Sequence, residues 1–278
     1  PVLRLVGIFS LASGAMLALA SGSLHDGERP LLRKLWRFLK PQDVALGDRG
    51  FCSYADFFLL AARGVDSVMR KHQRRTSRVS RKLGRNDYLM EWVKTNIKPA
   101  WLTEKQWKAM PDKMAVREVT IVVGIKGFRT QNITIATTLT DPVAFPAQAF
   151  ADLYLKRWRV ELYLRDIKTT MGMDVLRCKT PDMVVKELWM RVIAYNLIRA
   201  VMWESAILQG VPPARLSFKG ALATVRQWAP VLSYAVVNEN RRLALYRLML
   251  DCIARDMVPL RPNRTEPRAR KRRPKGYQ

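Results

Sequence analysis

The 278-residue chain carries 49 Lys and Arg against 23 Asp and Glu, a formal net charge of +26, and 49% of its residues are hydrophobic. The hydrophobic content excludes a disordered basic tail protein, and the length allows one large domain or two small ones. A surplus of positive charge this large repels itself unless a polyanion offsets it, so nucleic acid is the first partner to expect.

Cysteine and histidine are too sparse for the metal or disulfide sites that they usually build. The cysteines are Cys52, Cys178 and Cys252, and the histidines are His25 and His72. Their number and spacing exclude a disulfide framework and a classical zinc site. Any chemistry must therefore come from carboxylates, hydroxyls or lysines.

The first twenty residues are mostly apolar and have two interpretations. They resemble the apolar region of a signal peptide, or they form a β-hairpin with strands at 3–11 and 15–20. The hairpin is favoured because Gly and Ser interrupt the run. For the same reason, and because it is short, the run does not predict a membrane span, and we expect no membrane partner.

The next elements alternate between helix and strand. The pattern predicts a helix at 28–40, a short apolar strand at 44–47, a helix at 54–63 capped by Ser53, and a short strand at 66–70.

Residues 69–85 hold eight Lys and Arg and no acid. This run is either a solvated loop or helix face, or an arm that contacts phosphates. On the second interpretation its DNA-binding residues are Arg70, Lys71, Arg74 and Arg75.

The second half changes from β to helical patterning. We predict a hairpin or small sheet at 116–138, a long helix at 147–171, and further helices at 182–208, 217–229 and 238–256. The tail at 261–278 is basic and contains three prolines, and it is expected to be disordered. Trp101 and Trp107 precede the β segment. They are interpreted as packing residues or, less favoured, as residues on which an unpaired base stacks.

Four polar residues of the predicted long helix share one narrow stripe. At about 100° per residue, Tyr154, Arg157, Glu161 and Lys168 line up beside the apolar core face. Glu161 is then either one half of a salt bridge or a functional carboxylate. A second carboxylate, Asp48, follows the strand at 44–47, and it is either a turn residue or a ligand-binding residue at a strand end.

These residues resemble a known family. Tyr154-x2-Arg157-x3-Glu161-x6-Lys168 resembles the Tyr-Arg-Glu-Lys signature of bacterial DDE-type insertion-sequence transposases of the insertion-sequence-four family. Residues 46–54 are similar to the family segment that bears the second catalytic Asp. The resemblance extends from about residue 3 to 218, through shorter segments at 126–130, 136–139, 168–174, 176–181 and 194–199.

The resemblance implies a site and an activity. It implies that Asp48 and Glu161 are catalytic and bind Mg²⁺ or Mn²⁺, and that Tyr154, Arg157 and Lys168 bind DNA, with Arg165 as a further contact. It also implies divalent-metal-dependent strand cleavage and transfer at insertion-sequence ends. The partner is double-stranded DNA, held by a homodimer in a synaptic complex, and the location is cytoplasmic and nucleoid-associated.

The same resemblance implies an α/β fold with a ribonuclease-H-like core, a β-rich insertion and a helical C-terminal part. The family's first catalytic Asp is not found, since Asp26 lies in a Gly-rich loop and Asp43 is only five residues before Asp48. We therefore expect an incomplete core whose first, central strand is missing, and a chain that is marginally stable or aggregates when expressed alone.

The expected divisions are core at 1–70, basic loop and β-rich insertion at 71–140, core with the catalytic Glu at 141–210, helices at 211–258 and a basic tail at 259–278. The alternative function is a non-catalytic DNA-binding remnant of a transposase. An unrelated RNA-binding protein is less favoured because stacked-aromatic RNA motifs are not found.

Overall fold

The computed structural model describes residues 3–123, 131–235 and 238–259. Within these ranges the fold is mixed α/β, with two sheets and a set of helices at the C-terminal side.

The strands form two separate sheets. The first is an antiparallel hairpin of β1 (Leu3–Phe9) and β2 (Met16–Ser23). The second has six strands in the order β3-β4-β8-β7-β6-β5, of which only β3 and β4 run parallel. In chain order these six are β3 Val44–Gly47, β4 Asp66–Arg70, β5 Arg78–Gly84, β6 Asp87–Val93, β7 Lys113–Val123 and β8 Gln131–Thr137.

Eight α-helices accompany the sheets in the described part of the chain. They are α1 Glu28–Leu35, α2 Tyr54–Ala61, α3 Glu104–Ala109, α4 Ala147–Lys156, α5 Trp158–Arg165, α6 Pro181–Leu208, α7 Phe218–Tyr234 and α8 Glu239–Arg255. Local caps fix several of their starts: the Ser53 side chain accepts from the Asp56 N–H, and Thr103 and Gln106 form a capping box.

The long helix α6 ties the hairpin to the helical part. The Met16 N–H donates to the Asn196 side chain, whose amide donates back to the Met16 carbonyl, both at 2.9 Å. The Tyr195 hydroxyl donates to the carbonyl of Gly14 in the hairpin turn at 2.6 Å. The turn between β1 and β2 therefore has its polar backbone groups satisfied by one face of α6.

Much of the first half follows the predicted pattern. The hairpin is confirmed, although β1 ends at Phe9 and β2 continues to Ser23. The strands 44–47 and 66–70 are confirmed with the predicted bounds, and the Ser53-capped helix begins where expected. The first helix is shorter than predicted and ends in a 3₁₀ turn at Trp36–Phe38.

The basic run is not a loop or a helix throughout. Residues 78–84 form β5, the edge strand of the large sheet, and β5 pairs with β6, a strand that the sequence analysis did not predict. Most of β5 is exposed and polar, so it lacks the apolar alternation by which strands are recognised.

The predicted long helical region at 147–171 is confirmed, but it is not one regular α-helix. Helix α4 ends at Lys156, α5 begins at Trp158, and residues Asp166–Thr170 form a π-helical turn. No proline or glycine marks either irregularity in the sequence. The break follows from packing: Asp166 is buried in an ion pair with Arg199 of α6, at 2.6 Å.

In the C-terminal part, helix α7 is longer than predicted. Helix α7 does not end at residue 229 as predicted but continues through Pro230 to Tyr234.

The segment 126–130 and the tail 261–278 lie outside the described residues. Among the helices that are described, none combines the length and the hydropathy needed to cross a membrane.

Candidate catalytic and DNA-binding site

The site begins at the carboxyl ends of the parallel strands β3 and β4. Gly47 pairs with Met69, so Asp48 and Arg70 occupy neighbouring positions at the same edge of the sheet. Asp48 is exposed, and its Oδ1 accepts a hydrogen bond from the Arg49 N–H at 2.7 Å. Its carboxylate thus keeps most of its acceptor sites open to solvent.

The tyrosine of the signature, Tyr154, lies in helix α4 and interacts electrostatically with Asp48. The Tyr154 side chain is buried, and this burial raises the pKa of its phenol. The charges of Arg157 and Arg70 oppose the shift, and the charge of Asp48 adds to it. Tyr154 therefore lies within electrostatic range of Arg157, Asp48 and Arg70.

The arginine of the signature is held with unused hydrogen-bonding capacity. The Arg157 guanidinium lies 5.5 Å from the Tyr154 ring centroid and 4.9 Å from that of Trp158. Its Nε is buried and has no hydrogen-bond acceptor in the described part of the molecule. A buried N–H without an acceptor is uncommon, and an anionic ligand would satisfy it.

Glu161 lies one turn further along the helix. Its Oε1 is 3.6 Å from an Arg157 nitrogen, while 54% of its side chain is exposed. Glu161 therefore forms the predicted salt bridge, with Arg157. Because the glutamate is exposed and the distance is long, the pair contributes little stability. The carboxylate remains accessible to a ligand.

The other two predicted helix residues, Arg165 and Lys168, form no ion pair or hydrogen bond with these described side chains. Arg165 and Lys168 are exposed, and neither side chain has an ion pair or hydrogen bond to another described residue. Lys168 lies within the π-helical turn, where each residue advances by less than the angle assumed for an α-helix. The stripe predicted from 100° per residue therefore ends before Lys168.

The four basic residues predicted on the arm have different surroundings. Arg70 lies at the Asp48 edge, as described above. Lys71 is paired with Glu118 at 2.7 Å and also donates to Ser77 at 2.8 Å. Arg74 is exposed, whereas Arg75 is half-buried and stacks over the Trp92 ring at 4.8 Å.

The tryptophans ahead of β7 have packing roles. Trp107 packs with the small buried cluster of Ala55, Leu102 and Met110. The Arg33 guanidinium covers the Trp101 ring at 3.6 Å.

Oxygen donors for a metal are present but incomplete. The described residues contain no group of three or more His, Cys, Asp or Glu that could hold an ion. Asp26 and Asp43 instead accept hydrogen bonds from the Ser23 and Lys40 backbone N–H groups, at 2.6 and 2.7 Å. Asp48 and Glu161 are hard ligands of the type that suits Mg²⁺ or Mn²⁺, and they supply two carboxylates.

Sequence reasoning missed a basic cavity beside this site. It is lined in part by Arg29, Cys52 and Lys94, which are far apart in the sequence and meet only in the fold. No local pattern could have grouped them.

Comparison with known proteins identifies the class that this fold and these residues define. The chain belongs to the transposase DDE domain family, which matches residues 3–197. It is also similar to the transposase InsG for insertion sequence element IS4 of Escherichia coli (strain K12), with 29% identity over 282 residues. That match covers 100% of this chain and 61% of the length of the relative.

Proposed function

We propose that the chain acts in DNA-mediated transposition, through divalent-metal-dependent cleavage and transfer of DNA strands at insertion-sequence ends. The observation that carries this proposal is that Tyr154 interacts electrostatically with Arg157 and Asp48, while an Arg157 nitrogen lies 3.6 Å from Glu161 Oε1. Membership in the transposase DDE domain family supports it.

Asp48 and Glu161 are the residues that would hold Mg²⁺ or Mn²⁺. When bound, such ions supply Lewis-acid stabilisation of the attacking and leaving oxygens in a phosphodiester displacement. Both carboxylates are exposed, and they supply oxygen ligands, which these hard cations prefer.

The remaining residues bind and orient the phosphate. The partly exposed Arg157 guanidinium lies beside Tyr154 and Glu161, where its positive charge can interact with a phosphate oxygen. The Tyr154 phenol is protonated at neutral pH, and burial raises its pKa further, so its hydroxyl can donate as well. Arg70 adds a positive charge at the same edge, and Arg165, Lys168 and Arg74 extend the basic surface from exposed positions.

The fold is consistent with a ribonuclease-H-like core that lacks one central strand. In the described residues β1 pairs only with β2, and β3 pairs only with β4, so each has one free edge. A strand between these two edges would join the sheets and bring a third carboxylate to Asp48 and Glu161. We propose core segments at 1–70 and 141–210, with 71–140 as the insertion that carries β5, β6 and β7.

The proposed partner is double-stranded DNA at transposon ends and target, bound by a homodimer in the bacterial nucleoid. The net charge of +26 supports a polyanionic partner.

A nicking assay on supercoiled plasmid tests the catalytic proposal. With Mg²⁺ or Mn²⁺ the chain should convert supercoiled to nicked plasmid, and Asp48→Asn or Glu161→Gln should reduce the rate at least about 100-fold. The matched control is Glu239→Gln, an exposed helical glutamate with only a 3.9 Å contact to Arg242, which should retain the full rate.

A non-catalytic DNA-binding remnant is the second candidate, and the two-carboxylate site favours it. It predicts salt-sensitive DNA binding with no nicking in either metal. Nicking that depends on both carboxylates would exclude the remnant. Nicking that persists in both variants would contradict the assignment of Asp48 and Glu161.

A further inference from the structure

A cavity of about 580 Å³ lies between the start of α2, the β4–β5 connection and the end of β6. Its lining is basic and polar and includes no Asp or Glu. The lining residues are Arg29, Cys52, Ser53, His72, Arg74, Arg75, Thr76, Val93, Lys94, Thr95 and Asn96. The volume is in the range of small-molecule sites and accommodates a nucleotide-sized group.

Three guanidinium groups of the cavity have no carboxylate partner in the described part of the chain. Arg29 donates to the Gly50 carbonyl, Arg74 is exposed, and Arg75 makes only a long 3.4 Å contact to the Val93 carbonyl. The fourth cation, Lys94, is paired with Asp112 at 3.2 Å. The cavity therefore concentrates positive charge, and Glu118, a carboxylate whose charge acts on Arg75, is already paired with Lys71 at 2.7 Å.

Arg75 is the most constrained of these cations. Its guanidinium is half-buried, 4.8 Å from the Trp92 ring centroid and 5.9 Å from that of Tyr54. Burial lowers the pKa of Arg75 from its usual value, because desolvation penalises its charged form. A bound anion would offset that penalty.

The other ionisable groups of the cavity do not supply negative charge. Burial raises the pKa of the Cys52 thiol to about 11, so the thiol is neutral at pH 7. The His72 Nδ1 accepts from the Arg74 N–H at 3.2 Å, which leaves the proton of the neutral ring on Nε2. His72 can therefore donate into the cavity.

The cavity wall continues into the turn that carries Asp48. The 3₁₀ turn Arg49–Phe51 leads directly from Asp48 to Cys52, and Arg29 holds the Gly50 carbonyl of that turn. The cavity is thus linked to the turn of the candidate catalytic carboxylate through Arg29 and through Cys52, the residue that follows this turn.

We propose that this cavity binds one phosphate group of a DNA strand, independently of any metal ion, with Arg75 as its anchor. The identification of the strand rests on the proposed function, whereas the affinity for phosphate does not. The ligand is a phosphate oxyanion, which the DNA backbone and a 5′-terminal phosphate of DNA both supply.

The first test uses orthophosphate and the 278-residue chain. At constant ionic strength, phosphate should raise the melting temperature of the wild type by about 3 °C at tenfold its dissociation constant. Arg75→Gln should lose this shift. The matched control Arg247→Gln, an exposed arginine of α8, should keep it.

The second test measures duplex binding by fluorescence anisotropy in EDTA. Arg75→Gln should weaken binding about tenfold at low salt and reduce the salt slope by about one, while Arg247→Gln changes affinity by less than about twofold. Arg75→Lys should fall between the wild type and Arg75→Gln, because lysine keeps the charge and loses the planar fork. Duplexes with and without a 5′-phosphate distinguish the two sources.

Equal losses in Arg75→Gln and Arg247→Gln, together with an unchanged phosphate shift, would overturn the proposal. Failure of the chain to nick DNA would not, because both tests are made without metal. The reverse outcome, nicking with no phosphate-dependent shift, would overturn the cavity proposal and leave the catalytic one standing.

Discussion

At the scale of single residues, carboxylates in this protein have very different environments. Asp48 and Glu161 are exposed and available, whereas Glu187 is occupied by structural hydrogen bonds. Glu187 accepts from the Arg177 and Cys178 N–H groups at 2.9 and 3.0 Å and from Arg191 at 2.7 Å. It thereby fastens the loop before α6 to the helix itself.

These hydrogen bonds predict an acid-dependent loss of stability. They lower the pKa of Glu187 from 4.5 to about 2 in the folded chain. A carboxylate with a lowered folded pKa stabilises above its unfolded pKa, and this contribution is lost as the pH falls from 4.5 towards 2. Glu187→Gln should therefore lower the melting temperature at pH 7 and should differ little from the wild type near the acid end.

The control for this prediction is again Glu239→Gln, whose glutamate has only a distant ion pair. It should follow the wild-type pH profile throughout. A difference between wild type and Glu187→Gln that is constant from neutral to acid pH would contradict the assigned cause.

Some residues of the candidate site could be grouped from the sequence, and others could not. Tyr154, Arg157 and Glu161 were predicted together and lie together, because the backbone stays in the right-handed helical region through Arg157, where α4 ends and α5 begins. Lys168 was placed on the same stripe, but the π-helical turn interrupts it. Arg29 of α1, Arg75 of the β4–β5 connection and Lys94 just after β6 meet only in the fold, which no spacing rule encodes.

At the scale of elements, the parallel pair β3–β4 positions the site. A side chain at Gly47 would collide with the sulfur of Met69, the buried residue that pairs with Gly47 in β4. Glycine at this position leaves the space that the Met69 side chain occupies.

Gly47→Ala should therefore destabilise the fold by about 1–3 kcal/mol through overpacking. It should also weaken any activity that depends on Asp48, because Asp48 is the next residue. Chemical denaturation measures the stability change. Gly50→Ala is the matched control, since nothing lies within 4 Å of the added methyl group.

The double variant Gly47→Ala with Met69→Ala separates steric from backbone effects. If the collision is the cause, the effects of the two changes should be less than additive. Full additivity would contradict a collision between the added methyl group and Met69.

Elements were predicted well where apolar patterning was strong and poorly where tertiary contacts decide. The strands at 44–47 and 66–70 have compact apolar runs and were found. Strand β5 is polar and exposed, and it exists because β6 offers it an edge. The turn at Asp166 depends on Arg199, 33 residues away in sequence, so it could not be read locally.

At the scale of the whole molecule, the described surface combines high positive charge with exposed apolar groups. The outer face of α6 exposes Met190, Ile193 and Leu197, at 64%, 50% and 61% of their surfaces. Strands β1 and β3 each keep one free edge in the described residues. Apolar patches and free edges favour association, whereas a net charge of +26 opposes it.

The balance of these two effects predicts self-association that increases with salt. At about 50 mM NaCl charge repulsion keeps copies apart, and at about 500 mM the repulsion is screened while apolar association persists. Sedimentation velocity of nucleic-acid-free protein should show larger species at the higher salt concentration. Any association mediated by residual DNA would change in the opposite direction, because phosphate contacts weaken with salt.

A matched pair of double variants identifies the responsible surface. Ile193→Lys with Leu197→Lys adds two charges to the outer face of α6 and should reduce the salt-induced association. Ile97→Lys with Val143→Lys adds the same two charges at loop positions that are 82% and 86% exposed, and it should leave the association largely intact. A monomer at both salt concentrations, with cooperative unfolding, would contradict the expectation of a marginal, aggregating chain. Equal reduction by both variants would show that net charge controls the association, with no particular role for α6.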